Sequence, residues 1–460
     1  MLVANGPGLA RESWEENYKA IFDRVVGEFA VPPLEFPFTF HAFSKEQKSF
    51  GSFTPIKGLA WSQKALTGEI FSAGLVNLEG KEGVVQLRQL LARSKLNQIV
   101  KWDTANWQPR FPDAPIIFNN ILRDIDSMTF SPVDPTKLAV SGRLMEVDKK
   151  ARSTNRFFVE IFDLNRPSKN PVTIEAGDFI NHVVFFAWSP DGKKIAVVSR
   201  ELAITRVQVH DVGTGEVHRF TSANQIKKLA KRKFPGFIGG IDWSPDGKML
   251  AISVNAGGGP SLEIWDADLE GNLDEPAATI ALDIGSVKAL DWGPNNLRKV
   301  DNQFDSKIAL AGLAGFQSRL NIIHVGYGKI KEANKKINVV AKKEKFDAHL
   351  IGGVQDMVLA WSPDGQRLAT GISSNNQRAP GFRIPPGAKN GFGEIKIWDS
   401  ENFEKELDTL KVDQRSVQIF GRGVPQTLSS GVVSLAWRKD KKMLAAGIQD
   451  GTIRVFDKIK

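Results

Sequence analysis

Apolar and polar positions alternate in short stretches bounded by turn residues, and the stretches repeat. Three are near-copies: FFAWSPDGKKIAVVS from Phe185, GGIDWSPDGKMLAIS from Gly239 and VLAWSPDGQRLATGI from Val358. Each reads as an apolar strand, a Ser-Pro-Asp-Gly turn and a second alternating strand. Proline presets φ near about −65° and glycine accepts the positive φ that closes such a turn. Weaker copies fill the gaps: LAWSQ at Leu59, MTFSPVDPTKLAVSG at Met128, LDWGPNN at Leu290 followed by KIALAG, and LAWRKDKKMLAAG at Leu435. The first-strand aromatic recurs at Trp61, Phe130, Trp188, Trp243, Trp292, Trp361 and Trp437, which predicts seven units.

A third strand follows in each unit and usually ends in an aromatic or His and then Asp. The ends are IVKWD at Asp103, VEIFD at Asp163, VQVHD at Asp211, LEIWD at Asp266, IKIWD at Asp399 and IRVFD at Asp457. Unit five departs, reading LNIIHV through Val325 without the Asp. A weaker fourth strand follows most units, as at Pro115, Thr279 and Ile337. Four short strands per unit, repeated, predict an all-β propeller. Unit seven ends close to Lys460, so an N-terminal strand must complete it. Leu34–Phe43 is the candidate, with Phe36, Phe38 and Phe40 on one face and Pro37 tolerable at an edge. On that reading, deleting residues 1–45 unfolds the ring.

Residues 1–33 form an extension and 34–460 the propeller. Within the extension, Ser13 and Glu16 make a capping box for a helix over Trp14 to Phe29, whose Trp14, Tyr18, Ile21, Phe22, Val25 and Phe29 share a stripe. In unit one, Gly83–Leu96 has helical spacing at Val85, Leu87, Leu90 and Leu91.

The third-strand Trp-Asp together with the Trp-Ser-Pro-Asp-Gly turn resembles the WD40-repeat family over residues 35–460, although that turn also occurs in propellers such as TolB. The resemblance implies a seven-bladed ring that binds other proteins. In the family a Gly-His pair precedes each blade and its His braces the third-strand Trp. Here only Asp347-Ala348-His349, ahead of Trp398, comes close, so apolar packing must hold the other blades.

The family's geometry sends the loops between strands two and three, and those between strand four and the next unit, to one face. Long segments at about 76–97, 143–156, 372–393, 221–236, 342–352 and 411–430 all fall in those classes. They carry Arg143, Lys149, Lys150, Arg152 and Arg156; Lys227, Lys228, Lys231, Arg232 and Lys233; Lys342, Lys343 and Lys345; Arg378, Arg383 and Lys389; Arg415 and Arg422. Loops on a rigid ring concentrate binding residues, and clustered cations attract anionic partners. The apolar Phe382, Ile384 and Phe392 lie in the Gly/Pro-rich segment SSNNQRAPGFRIPPGAKNGFG. The candidate partner site is therefore Lys149, Lys150, Arg152, Lys227, Lys228, Lys231, Arg232, Lys233, Arg378, Phe382, Arg383 and Phe392.

The formal charge is +9 and is local. Residues 225–234 hold five cations and no anion, and 329–345 hold seven lysines against Glu332 and Glu344, so the remainder is near neutral. There are no cysteines, which excludes disulfides, iron–sulfur clusters and thiolate zinc sites. No apolar run approaches the ~18 residues of a membrane span. The acidic first thirty residues do not read as a signal or transit peptide, and an intracellular protein, cytoplasmic or nuclear, is expected. The six histidines show no His-x-x-x-His pair, and no Gly-x-Ser-x-Gly elbow occurs. Gly257–Pro260 sits between two strands and cannot cradle a phosphate at a helix start. The expectation is a non-catalytic scaffold without cofactor, metal or small-molecule substrate. Its partners would be proteins of a multi-subunit complex that present an acidic surface. The alternative is a nucleic-acid-associated propeller that binds RNA or DNA through the basic face, with the salt dependence of phosphate contacts.

Overall fold

The computed structural model describes residues 39–40, 46–51, 58–61, 70–75, 97–103, 108–109, 116–117, 122–147, 153–166, 171–177, 185–201, 204–214, 237–256, 258–267, 276–294, 306–314, 317–327, 339–349, 354–374, 393–412, 415–417, 426–428, 431–440, 443–449, 452–457 and 459. All regular elements among them are strands. The helices expected over Trp14 to Phe29 and Gly83–Leu96 lie outside the described residues.

Antiparallel sheets follow one another along the chain in the order of the sequence repeats. Unit four shows the plan: Phe237–Trp243 pairs with Met249–Ala256, which pairs with Gly259–Asp266, which pairs with Ala278–Ala281. Unit five repeats it with Ser286–Trp292, Ser306–Ala314, Gln317–Tyr327 and Val339–His349. Unit six uses Val354–Trp361, Arg367–Ser374, Gly393–Asp399 and Glu406–Val412. In unit two, Lys137–Val147 and Ser153–Asp163 stay paired as far as Val147 and Ser153, so Arg143 and Arg156 belong to a long β-ribbon rather than to a loop.

Among the described residues the propeller shows six blades of four or more strands where the sequence predicts seven. The correction falls on unit three. There Phe185–Trp188, Lys194–Glu201 and Ile204–Asp211 make a three-stranded sheet, and residues 215–236, which would supply the next strand, lie outside the described residues.

The closing strand is also corrected. Glu46–Gly51, not the Phe-rich stretch before it, pairs with Thr452–Asp457, and Thr39–Phe40 adds a fifth strand outside it. Only the two-residue Thr39–Phe40 lies beyond Glu46–Gly51, so backbone pairing rather than apolar alternation places EQKSFG in the sheet.

The second strands are covered on both faces. Ser306 to Gly312 are all buried, as are Met249 to Val254 and Leu444 to Ile448. Sheets standing face to face around an axis leave no solvent side for an inner strand, so these strands read as continuous apolar runs. Alanine recurs in them at 196, 251, 309, 311, 369, 445 and 446 because neighbouring sheets approach closely. At Gly312 even a methyl group would not fit, since a Cβ would lie 2.2 Å from the Ser286 carbonyl.

Each seam between consecutive units holds its own core. Val198, Val207, Trp243, Leu250 and Trp265 pack between units three and four, and Leu262, Ile264, Ile308 and Ile323 between four and five. Leu59 and Trp61 pack on Ala445, Ile453 and Val455, which joins the first unit to the last. A fully buried Leu or Ile contributes about 1.5–3 kcal/mol.

The turn chemistry is as read. Ser189 Oγ donates to Asp191 Oδ1 at 2.6 Å, which also accepts the Lys193 N–H at 3.1 Å. The same pair forms at Ser244–Asp246 and Ser362–Asp364. Gly192, Gly247 and Gly365 have φ of 67°, 73° and 68°, where a side chain is strained.

Candidate functional site

The innermost strands enclose a channel of about 1140 Å³. Its wall comes from Gly58–Trp61, Leu122–Phe130, Phe185–Trp188, Phe237–Trp243, Ser286–Trp292, Val354–Trp361 and Val432–Trp437. The first-strand tryptophans are buried among these strands, and a buried indole N–H needs an acceptor. Trp188 Nε1 donates to the Thr129 carbonyl at 3.3 Å, Trp243 to Ala187 at 3.1 Å, Trp361 to Asp291 at 3.2 Å, Trp437 to Ala360 at 3.1 Å and Trp61 to Ala436 at 2.8 Å. In every case the acceptor immediately precedes the equivalent aromatic of the unit before. Two seams depart from the relay. Phe130 has no donor to give, and Trp292 Nε1 turns back to Ser306 Oγ of its own unit at 2.9 Å.

At the Trp292 seam carboxylates take over. Asp242 Oδ1 accepts the Trp243 N–H at 2.8 Å and its Oδ2 accepts the Trp292 N–H at 2.7 Å. Asp291 Oδ2 accepts the Trp361 N–H at 2.9 Å. The Trp292 amide that Asp242 holds follows directly on Asp291, so the two carboxyls meet at one seam, where each affects the other's titration. Both residues line the channel and are half-buried as whole residues, while protein atoms surround their carboxyls. Burial pushes Asp242 up to about 6, against the backbone amides that pull it down. Burial, then the charge of Asp242, push Asp291 well above the ordinary carboxylate range. The remaining charged residues of the channel wall are Asp126 and Lys288. Among the described residues no group of three His, Cys, Asp or Glu could hold a metal ion.

At the same end of these sheets as Trp292, Lys307 is buried between units five and six. Its Nζ donates to the Ser400 carbonyl at 2.6 Å, lies 3.8 Å from Glu401 and sits 5.8 Å from the centre of the Phe403 ring. Burial lowers its pKa, opposed by Glu401, Glu344 and Asp399. Arg367 reaches from unit six in the same way, donating to the Ile459 carbonyl at 3.0 Å. Third-strand Trp398 is braced by Thr370 Oγ1 at 2.9 Å, so a hydroxyl adds to the apolar packing there.

Comparison with known proteins agrees with this architecture. The family model "WD domain, G-beta repeat" matches residues 424–457, which contain the strands of unit seven. The chain is a β-propeller that carries a WD40 repeat. A chain of the "Crystal Structure of Mitotic Checkpoint Complex" has a similar fold, with a TM-score of 0.50 and 14% identity, over 93% of this propeller and 96% of that chain. The "Tol-Pal system protein TolB" of Alcanivorax borkumensis (strain ATCC 700651 / DSM 11573 / NCIMB 13689 / SK2) is 31% identical over 106 residues. That match spans 20% of the propeller and 22% of the TolB protein.

The partner residues expected from sequence, Lys149, Lys150, Arg152, Lys227, Lys228, Lys231, Arg232, Lys233, Arg378, Phe382, Arg383 and Phe392, all lie outside the described residues. So do Lys389 and Arg422. Three further cations are relocated. Lys342, Lys343 and Lys345 fall within the outer strand Val339–His349 and not in a connection. Lys343 lies 3.0 Å from Asp283 and donates to the Ala281 carbonyl at 2.9 Å, which ties the outer strand to unit four. Arg415 starts a small hairpin in which Arg415–Val417 pairs with Gln426–Leu428. Sequence reasoning missed the carboxyl pair. Its signal was present, because Asp precedes the first-strand Trp in units four and five, which are neighbours.

Proposed function

We propose that this propeller is a non-catalytic scaffold that mediates protein–protein interactions within a larger intracellular assembly, cytoplasmic or nuclear. The observation that carries the reading is how the polar groups of the channel wall are used. The indoles, Asp242 and Asp291 are bonded across the seams and hold the ring rigid, which suits a frame for presented segments. The fold shared with a chain of the Mitotic Checkpoint Complex supports a role of this kind. The partners would present an acidic surface to the basic segments, with Phe382 and Phe392 as apolar anchors.

The five cations of 227–233, without an intervening anion, favour nucleic acid as the second reading. A pull-down from source lysate, with and without nuclease, separates the two. It compares the natural protein with a variant in which Lys227, Lys228, Lys231, Arg232 and Lys233 are all Glu. Protein partners that survive nuclease and vanish in the variant support the scaffold and its basic site. Partners that vanish with nuclease support nucleic acid. A partner list unchanged by the variant removes residues 227–233 from the site.

A further inference from the structure

Two aspartates on neighbouring inner strands meet in the channel wall, and between them they hold three consecutive units. Asp242 takes the Trp243 amide of its own unit and the Trp292 amide of the next. Asp291 takes the Trp361 amide of the unit after that with its carboxyl, and the Trp361 indole N–H with its carbonyl. An ionised carboxylate can only accept hydrogen bonds, so a hydrogen bond between two carboxyls requires a proton on one of them. Without it, two negative charges would face each other among largely apolar neighbours, and one or both side chains would have to withdraw.

We propose that Asp242 and Asp291 form a proton-held latch in the channel wall, closed while the carboxyls share one proton and slackened when that proton leaves. Asp291 holds the proton and donates to Asp242, which remains the acceptor for both tryptophan amides. On loss of the proton, repulsion acts at one of the two seams where the indole relay is missing, since Trp292 bonds Ser306 instead. The surroundings do little to neutralise a second charge. Lys288, on the same strand as Asp291, is the cation of the channel wall, and Asp126 adds a like charge from unit two. Phe185–Trp188 and Met249–Ala256, packed alongside, carry no charged residue. Ser306–Ala314 carries only Lys307, which is engaged by Ser400 and Glu401. Val354–Trp361 carries Asp356, five positions before Trp361. The raised titration of both carboxyls agrees with this arrangement.

The test compares thermal unfolding of the natural protein and Asp291→Asn between pH 5 and 8. An Asn amide donates to Asp242 without a titratable proton, while its carbonyl still accepts the Trp361 N–H. The latch predicts that the melting temperature of the natural protein falls relative to the variant by about 2 °C or more across this range. Parallel curves would overturn the proposal. Carboxyl carbon NMR of the natural protein, labelled at aspartate, gives a second measurement that does not depend on the variant folding. At least one aspartate must titrate well above the ordinary range, and if every aspartate titrates near 3.8 the latch does not exist.

Discussion

The side-chain amide of Asn255 clasps the backbone of Val287 in both directions: its Oδ1 accepts the Val287 N–H at 2.8 Å and its Nδ2 donates to the Val287 carbonyl at 3.1 Å. The clasp joins the second strand of unit four to the first strand of unit five, at the end of the strands opposite Trp292. Asn255→Ala leaves two backbone groups without their partner, and each such loss costs about 1–3 kcal/mol when buried. The expected loss is about 2 kcal/mol, read from urea unfolding. A change under about 0.5 kcal/mol would show that water replaces the clasp at no cost.

The indole relay gives a second expectation. Trp243→Phe keeps most of the ring's bulk but removes the donor to the Ala187 carbonyl. The loss should be about 1–3 kcal/mol, combining an unsatisfied carbonyl with a small cavity. Trp292→Phe gives a comparison, because its donor serves a hydroxyl of its own unit that can turn to another partner. Equilibrium unfolding should rank Trp243→Phe as the more damaging.

Lys307 predicts a pH dependence with a definite sign. Burial lowers its folded-state pKa below 10.5, so the unfolded chain binds the proton more tightly. Stability contributed at this position therefore rises as pH increases from the folded value toward 10.5. Lys307→Met removes the titration. Measured by denaturant unfolding, the natural protein should gain on the variant as pH is raised from 8 toward 10, and a constant difference would refute this.

Asp134 behaves oppositely. The Thr136 hydroxyl, at 2.6 Å, is the largest influence and holds its carboxyl below 3.8, with burial opposing and the Thr136 amide and Lys137 assisting. A depressed carboxylate contributes stability above its unfolded value and loses it as pH falls through the folded one. Thr136→Val should move the Asp134 titration upward, which carboxyl NMR reads directly.

Truncation tests the closing strand. Removing residues 1–45 leaves Glu46–Gly51 to pair with Thr452–Asp457, so cooperative melting should persist. Removing residues 1–52 takes that strand away and should abolish a sharp transition. Loss of cooperativity in the shorter deletion would return the closure to Leu34–Phe43.

Much of the ring was legible because the residues that build it are repeated under the same constraint. The Trp of each first strand and the Ser-Pro-Asp-Gly turn meet the same neighbours in each unit, so the period shows in one sequence. What was not legible depends on partners far apart in the chain. Phe36, Phe38 and Phe40 gave the stronger strand signal, yet the polar EQKSFG pairs with the last unit, because backbone groups and not side chains hold a strand near the sheet's outer margin. The lysines at 342, 343 and 345 looked like a solvated connection, but an outer strand tolerates charge and Lys343 finds Asp283 on the neighbouring unit. Asp242 and Asp291 are 49 residues apart and read as ordinary strand positions until the ring sets their carboxyls together. The basic segments were legible as composition alone.

The relay of indoles also has a direction in time. Trp188, Trp243, Trp361 and Trp437 each reach back to a unit that the ribosome has already made, so each seam can be tied as its second half emerges. Trp61 is the reverse case: its acceptor, Ala436, is synthesised 375 residues later. The first unit must therefore wait, with its apolar seam face uncovered, for nearly the whole of translation, and for that interval it offers a surface for a chaperone to cover.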